Sequence, residues 1–340
     1  MANSDADISF GDGVPEMKLQ REYGSVVVVP DQLPELGFRL ALPRRWKQIK
    51  ASESAAFEID RFCMLAAFAE STDVGVQVLG TLLPWEVNLV DWLEYQAYRF
   101  GMEMGPVQSG ETEYGQTVHA IARGADGAIL RILVTGDAQR LIMLLGRMPA
   151  NADDAVEETL GLAAASFQFV SHSGVRTRER LAVYRDEDGL FQLLYPESWE
   201  SEPLDRLRPA KAGADFRIIG TNDTIAYLRV EADTRQPLDE NGLADVYETT
   251  LEELAESGIE IVGLTPLPQG VGGGERQRWQ GECVLPSGKG QLALLFRPTG
   301  KAWLAGVLVC PLKDADPYTW MRGKRAYEIA VASLGPGGTP

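Results

Sequence analysis

A short pattern near the start of the chain recurs at its middle. Phe38-Arg-Leu-Ala-Leu-Pro43-Arg-Arg-Trp46 is matched by Phe191-Gln-Leu-Leu-Tyr-Pro196-Glu-Ser-Trp199. The aromatic residue, the Pro and the Trp all recur at a fixed spacing of 153 residues. Three further matches follow in the same order. Leu89-Val-Asp91-Trp-Leu-Glu94 pairs with Leu243-Ala-Asp245-Val-Tyr-Glu248, at 154. Leu141-Ile-Met-Leu-Leu up to Pro149 pairs with Trp303-Leu-Ala-Gly-Val up to Pro311, at 162. Ala163-Ala-Ala-Ser166-Phe pairs with Ala330-Val-Ala-Ser333-Leu, at 167. The spacing drifts upward in small steps, as loop insertions produce. Self-similarity at a fixed period outranks any local signal, because it fixes what one folding unit is.

The chain is therefore expected to hold two tandem units, over residues 23–170 and 177–334. A polar linker at 171–176 joins them, an N-terminal extension covers 1–22, and a frayed tail covers 335–340. At 340 residues, each unit is long enough to bury its own core. Within the first, strands are expected at 25–30, 37–42, 62–69, 74–83, 116–123, 127–135 and 139–147. Helices are expected near 88–103 and 151–166, the second with Asn151 as N-cap. The second unit reads as strands at 181–184, 190–195, 214–220, 224–232, 275–285, 289–297 and 301–309. Its helices fall near 241–257 and 316–333. Gly101 and Gly258 follow the two middle helices as C-caps. Short Gly turns at Asp126-Gly127, Ser287-Gly288 and Thr299-Gly300 make the strands antiparallel hairpins. Helices covering an antiparallel sheet define an α+β layer architecture.

These motifs resemble the PsbP-like superfamily. The resemblance rests on the strand ending in Leu-Pro-x-x-Trp or Tyr-Pro-x-x-Trp, the Leu-x-Asp helix, the antiparallel meander and the closing Ala-Ser-Phe or Ala-Ser-Leu. It spans both halves. Members include the photosystem II extrinsic protein, a nuclear-import factor that binds Ran, DcrB-type bacterial proteins, and the Eag chaperones of type VI secretion effectors. The resemblance implies an α/β/α sandwich in each unit, and binding in place of catalysis. Eag chaperones work as homodimers that hold apolar helices of a client. Two fused copies would form the equivalent pair within one chain, a monomeric pseudo-dimer. The implied function is a non-catalytic protein-binding module, a secretion-associated chaperone or adaptor that holds an apolar segment of an effector between the repeats. A small-ligand protein or enzyme with an inter-domain cleft is one alternative. A structural or immunity-type scaffold is the other.

Charge and composition narrow the partners. A formal charge of −17 repels phosphate backbones and anionic membranes, so neither nucleic acid nor a membrane surface is expected as partner. The basic stretches Arg44, Arg45, Lys47, Lys50 and Arg176, Arg178, Arg180 are short and read as solvated faces. No apolar run approaches the length of a membrane span, and Met1 to Asp7 lacks the basic and apolar regions of a signal peptide. A cytoplasmic location is the expectation.

No catalytic, cofactor or metal residue is assigned. Cys63, Cys283 and Cys310 lie far apart and in apolar settings, so buried inert thiols are expected, with a Cys283–Cys310 bridge as the less favoured reading. His119 falls in a strand and His172 in the linker, without zinc-ligand spacing. Gly270 to Gly274 lacks the Lys-Ser/Thr of a phosphate loop. Asp153-Asp154, Asp186-Glu187-Asp188 and Glu252-Glu253-Glu256 read as solvated charge and none has the form of a calcium loop. Trp46 and Trp199 read as core anchors of the turn after the strand rather than as contact platforms. Trp85, Trp92 and the very apolar 62–69 segment set the first unit apart.

Overall fold

The computed structural model describes residues 21–49, 63–83, 85, 87–112, 115–137, 139–171, 179–204, 211–219, 224–268, 276–286 and 288–337. The chain divides into two compact units between residues 178 and 179, with Trp85–Asn88 grouped with the second.

In the first unit, β1 (Tyr23–Val28), β2 (Phe38–Pro43) and β10 (Gln168–Phe169) form a small antiparallel sheet in the order β1-β2-β10. The remaining strands are β3 (Lys47–Ile49), β4 (Cys63–Ala69), β5 (Gly75–Leu82), β6 (Glu103–Thr112), β7 (Gly115–Arg123), β8 (Ile129–Asp137) and β9 (Arg140–Met148). They make a seven-stranded antiparallel sheet in the order β3-β4-β5-β9-β8-β7-β6. Helix α1 (Leu89–Arg99) follows β5 and packs on β6, β7 and β8. Helix α2 (Asp154–Ala165) follows β9 and packs on β2, β8 and β9. Phe38, Leu40 and Leu42 of β2, Phe68, Val76, Val78 and Leu144 of the large sheet, and Leu160 and Ala163 of α2 merge into one core.

The second unit contains β11 (Leu181–Arg185), β12 (Gln192–Pro196), β13 (Glu200–Pro203), β14 (Lys211–Ile219), β15 (Thr224–Asp233), β16 (Glu260–Pro266), β17 (Gln277–Leu285), β18 (Gly288–Pro298) and β19 (Trp303–Pro311). Strands β11 and β12 pair alone, and the other seven run β13-β14-β15-β19-β18-β17-β16. Strand for strand, this is the order of the first unit. Helices α3 (Glu240–Glu256) and α4 (Pro317–Ser333) occupy the same places in the chain as α1 and α2. Alternation along β19 shows that α3 and α4 cover opposite faces. Val307 and Val309 join the core with Val246 and Leu254 of α3, whereas Leu308 and Cys310 meet Gly323 of α4. The large sheet of the second unit is thus a middle layer, and helices packed on antiparallel sheets make the architecture of both units α+β.

Local chemistry repeats with the topology. After the first strand pair, the Trp46 N–H donates to Pro43 O at 2.9 Å and the Trp199 N–H to Pro196 O at 3.0 Å. Both indoles are buried, as expected of core anchors. Helix α1 ends with the Met102 N–H donating to Ala97 O, and α3 with the Ile259 N–H donating to Leu254 O. The intervening Gly101 and Gly258 have φ of 62° and 79°, a left-handed turn that glycine enters without a Cβ penalty. At the end of α2 the Ser166 hydroxyl accepts the Ala41 N–H of β2 at 2.9 Å; at the end of α4, Ser333 accepts Leu194 N–H of β12 at 2.8 Å.

Several expectations are corrected. Strands β3, β6, β10, β13 and β16 were not foreseen, and four of them are edges of the large sheets. Strand β6 carries Gly105-Pro106 inside its run and absorbs them at a bulge between Met104 and Val107, which an edge strand tolerates. The N-cap of α2 is Asp153, whose carboxylate accepts the Val156 N–H at 3.0 Å, and not Asn151. The tail begins paired, since Gly335 and Gln192 exchange hydrogen bonds at 3.0 and 3.1 Å. Residues 1–20, most of the linker with His172, Lys50, Arg176, Arg178 and the Gly270–Gly274 loop lie outside the described residues.

Candidate functional site

The residues expected to be inert can now be placed. Cys283 and Cys310 are both buried and both free. They sit on opposite faces of one sheet, Cys283 in the α3 core and Cys310 against Gly323 of α4, so β17 to β19 separate the thiols. Burial pushes Cys283 up to about 11 and Cys310 up to about 12. Cys63, half-buried on β4, is also raised by desolvation. His119 is exposed on β7 between Gln108 of β6 and Leu133 of β8. Trp92 is fully buried in the first unit, whereas Trp85 is grouped with the second, its ring beside Tyr318 and under the Arg322 guanidinium. Asp186 is not solvated charge. It is buried in the β11–β12 turn and accepts the N–H groups of Asp188 and Leu190 at 3.0 and 3.1 Å. Among the described residues, no cluster of His, Cys, Asp and Glu is arranged to hold a metal ion. No helix among them is long and apolar enough to cross a membrane.

Two features stand out instead. One is a pair of sheet edges. Arg44 N–H donates to Glu22 O just before β1, which sets the hydrogen-bonding phase with β2. Gly24, Val26 and Val28 then exchange bonds with β2, and the N–H and C=O of Ser25 and Val27 point away from it. No described strand pairs on that outer side. Glu197 N–H donating to Arg180 O sets the same phase for β11, which turns the backbone groups of Leu181 and Val183 outward. Three of the four side chains on these positions are apolar and exposed, Val27 at 59%, Leu181 at 40% and Val183 at 54%. Long apolar edges are what folded chains ordinarily cover, charge or shorten.

The other is a charged constellation on the α3 face of the second sheet, missed in the sequence. Register places Asp215 of β14 opposite Arg229 of β15 and Glu202 of β13. Asp215 Oδ1 accepts from Arg229 Nε at 2.7 Å, and Oδ2 accepts from Arg229 Nη2 at 3.0 Å and Arg217 Nη2 at 2.9 Å. Arg217 Nη1 donates to Glu202 Oε2 at 2.7 Å. The Asp215 side chain is 4% exposed, while the two guanidinium side chains keep 35% and 30% of their surface. Burial pushes the Asp215 carboxyl up, but the hydrogen bonds and charge of Arg229 and Arg217 outweigh it and hold the group below its usual value. Burial also raises the Tyr227 phenol, which stays a neutral O–H. These groups line a concavity of about 310 Å³ walled by Ile225, Ile259, Leu285 and Pro286.

No family model matches the chain, and no curated protein matches it. Solved structures with partial likeness include cyanobacterial PsbP from Synechocystis sp. PCC 6803. It is 14% identical, with 47% of this chain and 96% of that one covered, at a TM-score of 0.34. The type VI secretion immunity protein TplEi of Pseudomonas aeruginosa, complexed with an "L" peptide, is 13% identical over 89% of this chain and 96% of its own, at 0.24. A Tle4–Tli4 complex is 11% identical over 93% and 99%, at 0.23. At these scores the likenesses carry neither fold nor function to this chain.

Proposed function

We propose that this chain is a non-catalytic protein-binding module, built from two copies of one PsbP-like unit, that takes an extended segment of a partner protein onto the two strand edges that no described strand pairs. The observation that carries the reading is the pair of equivalent edges, β1 and β11, with outward backbone groups and exposed valines. A strand added there gains main-chain hydrogen bonds along the edge, and alternate side chains give it selectivity. The partner segment is one with β-branched apolar residues at every second position, matching Val27 and Val183 across the new pair. The common strand order and the shared Ser, Gly and Trp devices support descent of both units from one duplicated sequence. The reading carries with it a cytoplasmic, cofactor-free and metal-free protein acting as a monomeric pseudo-dimer. A chaperone, adaptor or immunity role is a choice among protein partners.

The test is photo-crosslinking in the host cell from position 27 and from position 183, with position 301 as a control on an exposed turn. The expected result is a discrete protein adduct from 27 or 183 and not from 301. The adduct should vanish when a neighbouring outward position is made lysine, Ser25→Lys with the probe at 27 and Leu181→Lys with the probe at 183, since edge lysines block strand addition without disturbing the sheet. No adduct, or the same adducts from all three positions, overturns the proposal.

A further inference from the structure

The charged constellation of the second unit is not demanded by its fold. Strand order and register identify the equivalent positions in the first unit. Gln77 of β5 stands where Arg229 stands in β15, because Gln77 faces Leu145 of β9 and Arg229 faces Val307 of β19. Across from them, Ala67 replaces Asp215, Ala69 replaces Arg217 and Ile49 replaces Glu202. The same frame is thus completed with small, neutral side chains. Burying Asp215 instead carries a desolvation penalty, which its hydrogen bonds and ion pairs with Arg229 and Arg217 have to offset. What the arrangement does achieve is orientation. Asp215 is saturated by three donors, and it holds two guanidinium groups side by side at the floor of a concavity.

The donors not used by Asp215 define what fits. Arg229 binds Asp215 through Nε and Nη2, and its Nη1 has no hydrogen-bond partner among the described residues. Arg217 Nη1 is held by Glu202, whose side chain is 64% exposed. Glu202 is a carboxylate of the chain itself, bound where a carboxylate from outside would bind. Guanidinium forks match planar carboxylates. The walls beside them are apolar, and Ile225 is exposed. At the end of α3, the Gly258 and Ile259 N–H groups cap the Ala255 and Leu254 carbonyls. Three carboxylates, Glu202, Asp215 and Glu231, stand against the two guanidinium groups of Arg217 and Arg229, an excess of negative charge that disfavours a dianion.

We propose that this concavity binds a monocarboxylate carried on an apolar body, the ligand carboxylate displacing Glu202 from Arg217 and taking the open Nη1 of Arg229. The shared chemistry has two sources, a free organic acid or the C-terminus of a peptide ending in an apolar residue.

The experiment is NMR titration of the full chain with 3-phenylpropionate, its amide, inorganic phosphate, and Gly-Gly-Phe with a free or amidated C-terminus. Saturable shifts at the β14 and β15 amides are expected with the two carboxylates and not with the amides or phosphate. The tighter of the two carboxylates identifies the source. Arg229→Gln combined with Asp215→Ala, the pair found in the first unit, should weaken binding about tenfold or more, the factor expected for loss of a charge-assisted hydrogen bond. Ile225→Asp, which leaves the ion pairs intact, should weaken it similarly. Glu202→Gln should tighten it, because a competitor is removed; a purely structural role for Glu202 predicts no such gain. The proposal is overturned if neither carboxylate saturates, if phosphate or the amides bind as well, or if Glu202→Gln weakens binding. Ser25→Lys leaves this site untouched, so its failure and that of the edge reading are separable.

Discussion

Replacing Asp215 with alanine should be more damaging than removing the whole network to which it belongs. In the folded chain, its carboxylate is nearly sealed from water and receives three hydrogen bonds from two guanidinium groups. Asp215→Ala leaves Arg217 and Arg229 side by side, alike in charge and without their common acceptor. Deleting one partner of a fully buried pair costs about 3–5 kcal/mol. The two arginines keep roughly a third of their surface in water, which screens part of that loss, so about 2–3 kcal/mol is expected here. The triple variant Asp215→Ala, Arg217→Ala, Arg229→Gln reproduces the neutral residues of the first unit at these positions; of the carboxylates it leaves behind, Glu202 is 64% exposed and Glu231 loses only a 3.8 Å contact with Arg229. It should fold within about 1 kcal/mol of the wild type, because replacing a buried ion network with uncharged residues is often neutral or better. Urea denaturation gives both values, and hydrogen exchange on peptides from β14 and β15 localises them. The reasoning fails if Asp215→Ala loses less than about 0.5 kcal/mol, or if the triple variant is as unstable as the single one.

The same carboxylate gives a pH dependence. Its pKa in the fold lies below the ordinary 3.8, so its stabilisation is complete above that value and is lost as pH falls through the folded pKa. Denaturation midpoints measured from pH 5 to 3 should fall more steeply for the wild type than for the triple variant. Cys283 and Cys310, pushed up to about 11 and about 12, should resist iodoacetamide at pH 8 in the native protein and react once urea unfolds it. Rapid native labelling of either would contradict their burial. Gly101→Ala and Gly258→Ala meet no atom within 4 Å but force a Cβ into left-handed backbone, so each should cost about 1 kcal/mol by urea denaturation.

What the sequence makes legible is the part of the fold that depends on local pattern. The Pro-x-x-Trp turns, the glycine C-caps and the central strands β9 and β19 are all strong local signals. The central strands are buried on both faces and so read as unbroken apolar runs. Strands β3, β13, β6 and β16 escape because they sit at edges, where one neighbour dictates pairing and no hydrophobic period is imposed. Lys47–Ile49 and Glu200–Pro203 are exposed at every position, with no pattern to read. The charged constellation escapes for a different reason. Asp215, Arg217 and Arg229 each look like the polar half of an alternating strand. Only the register between β14 and β15 turns Asp215-Phe-Arg217 and Tyr227-Leu-Arg229 into one cluster, and register is a long-range property. A faint signal was present in the odd-numbered charges of β15, which share a face with the valines that α3 covers in β19.

The two units therefore divide the constraints on the chain in an informative way. Where they agree, in strand order, in Trp46 and Trp199, in Gly101 and Gly258, in Ser166 and Ser333, the residues answer to folding, since each closes a turn, caps a helix or ties a helix to a strand. Where they differ at equivalent positions, the frame is indifferent and the choice of side chain answers to something else. Ile49, Ala67, Ala69 and Gln77 against Glu202, Asp215, Arg217 and Arg229 is the sharpest such difference, because one set carries the expense of buried charge and the other does not. The edges β1 and β11 fall on the opposite side of this test. They agree between units, yet exposed valines on an edge that no described strand pairs contribute little to folding and expose the chain to unwanted strand pairing. A shared feature that the fold does not need, and that carries a hazard when left bare, is accounted for if both edges are covered in use.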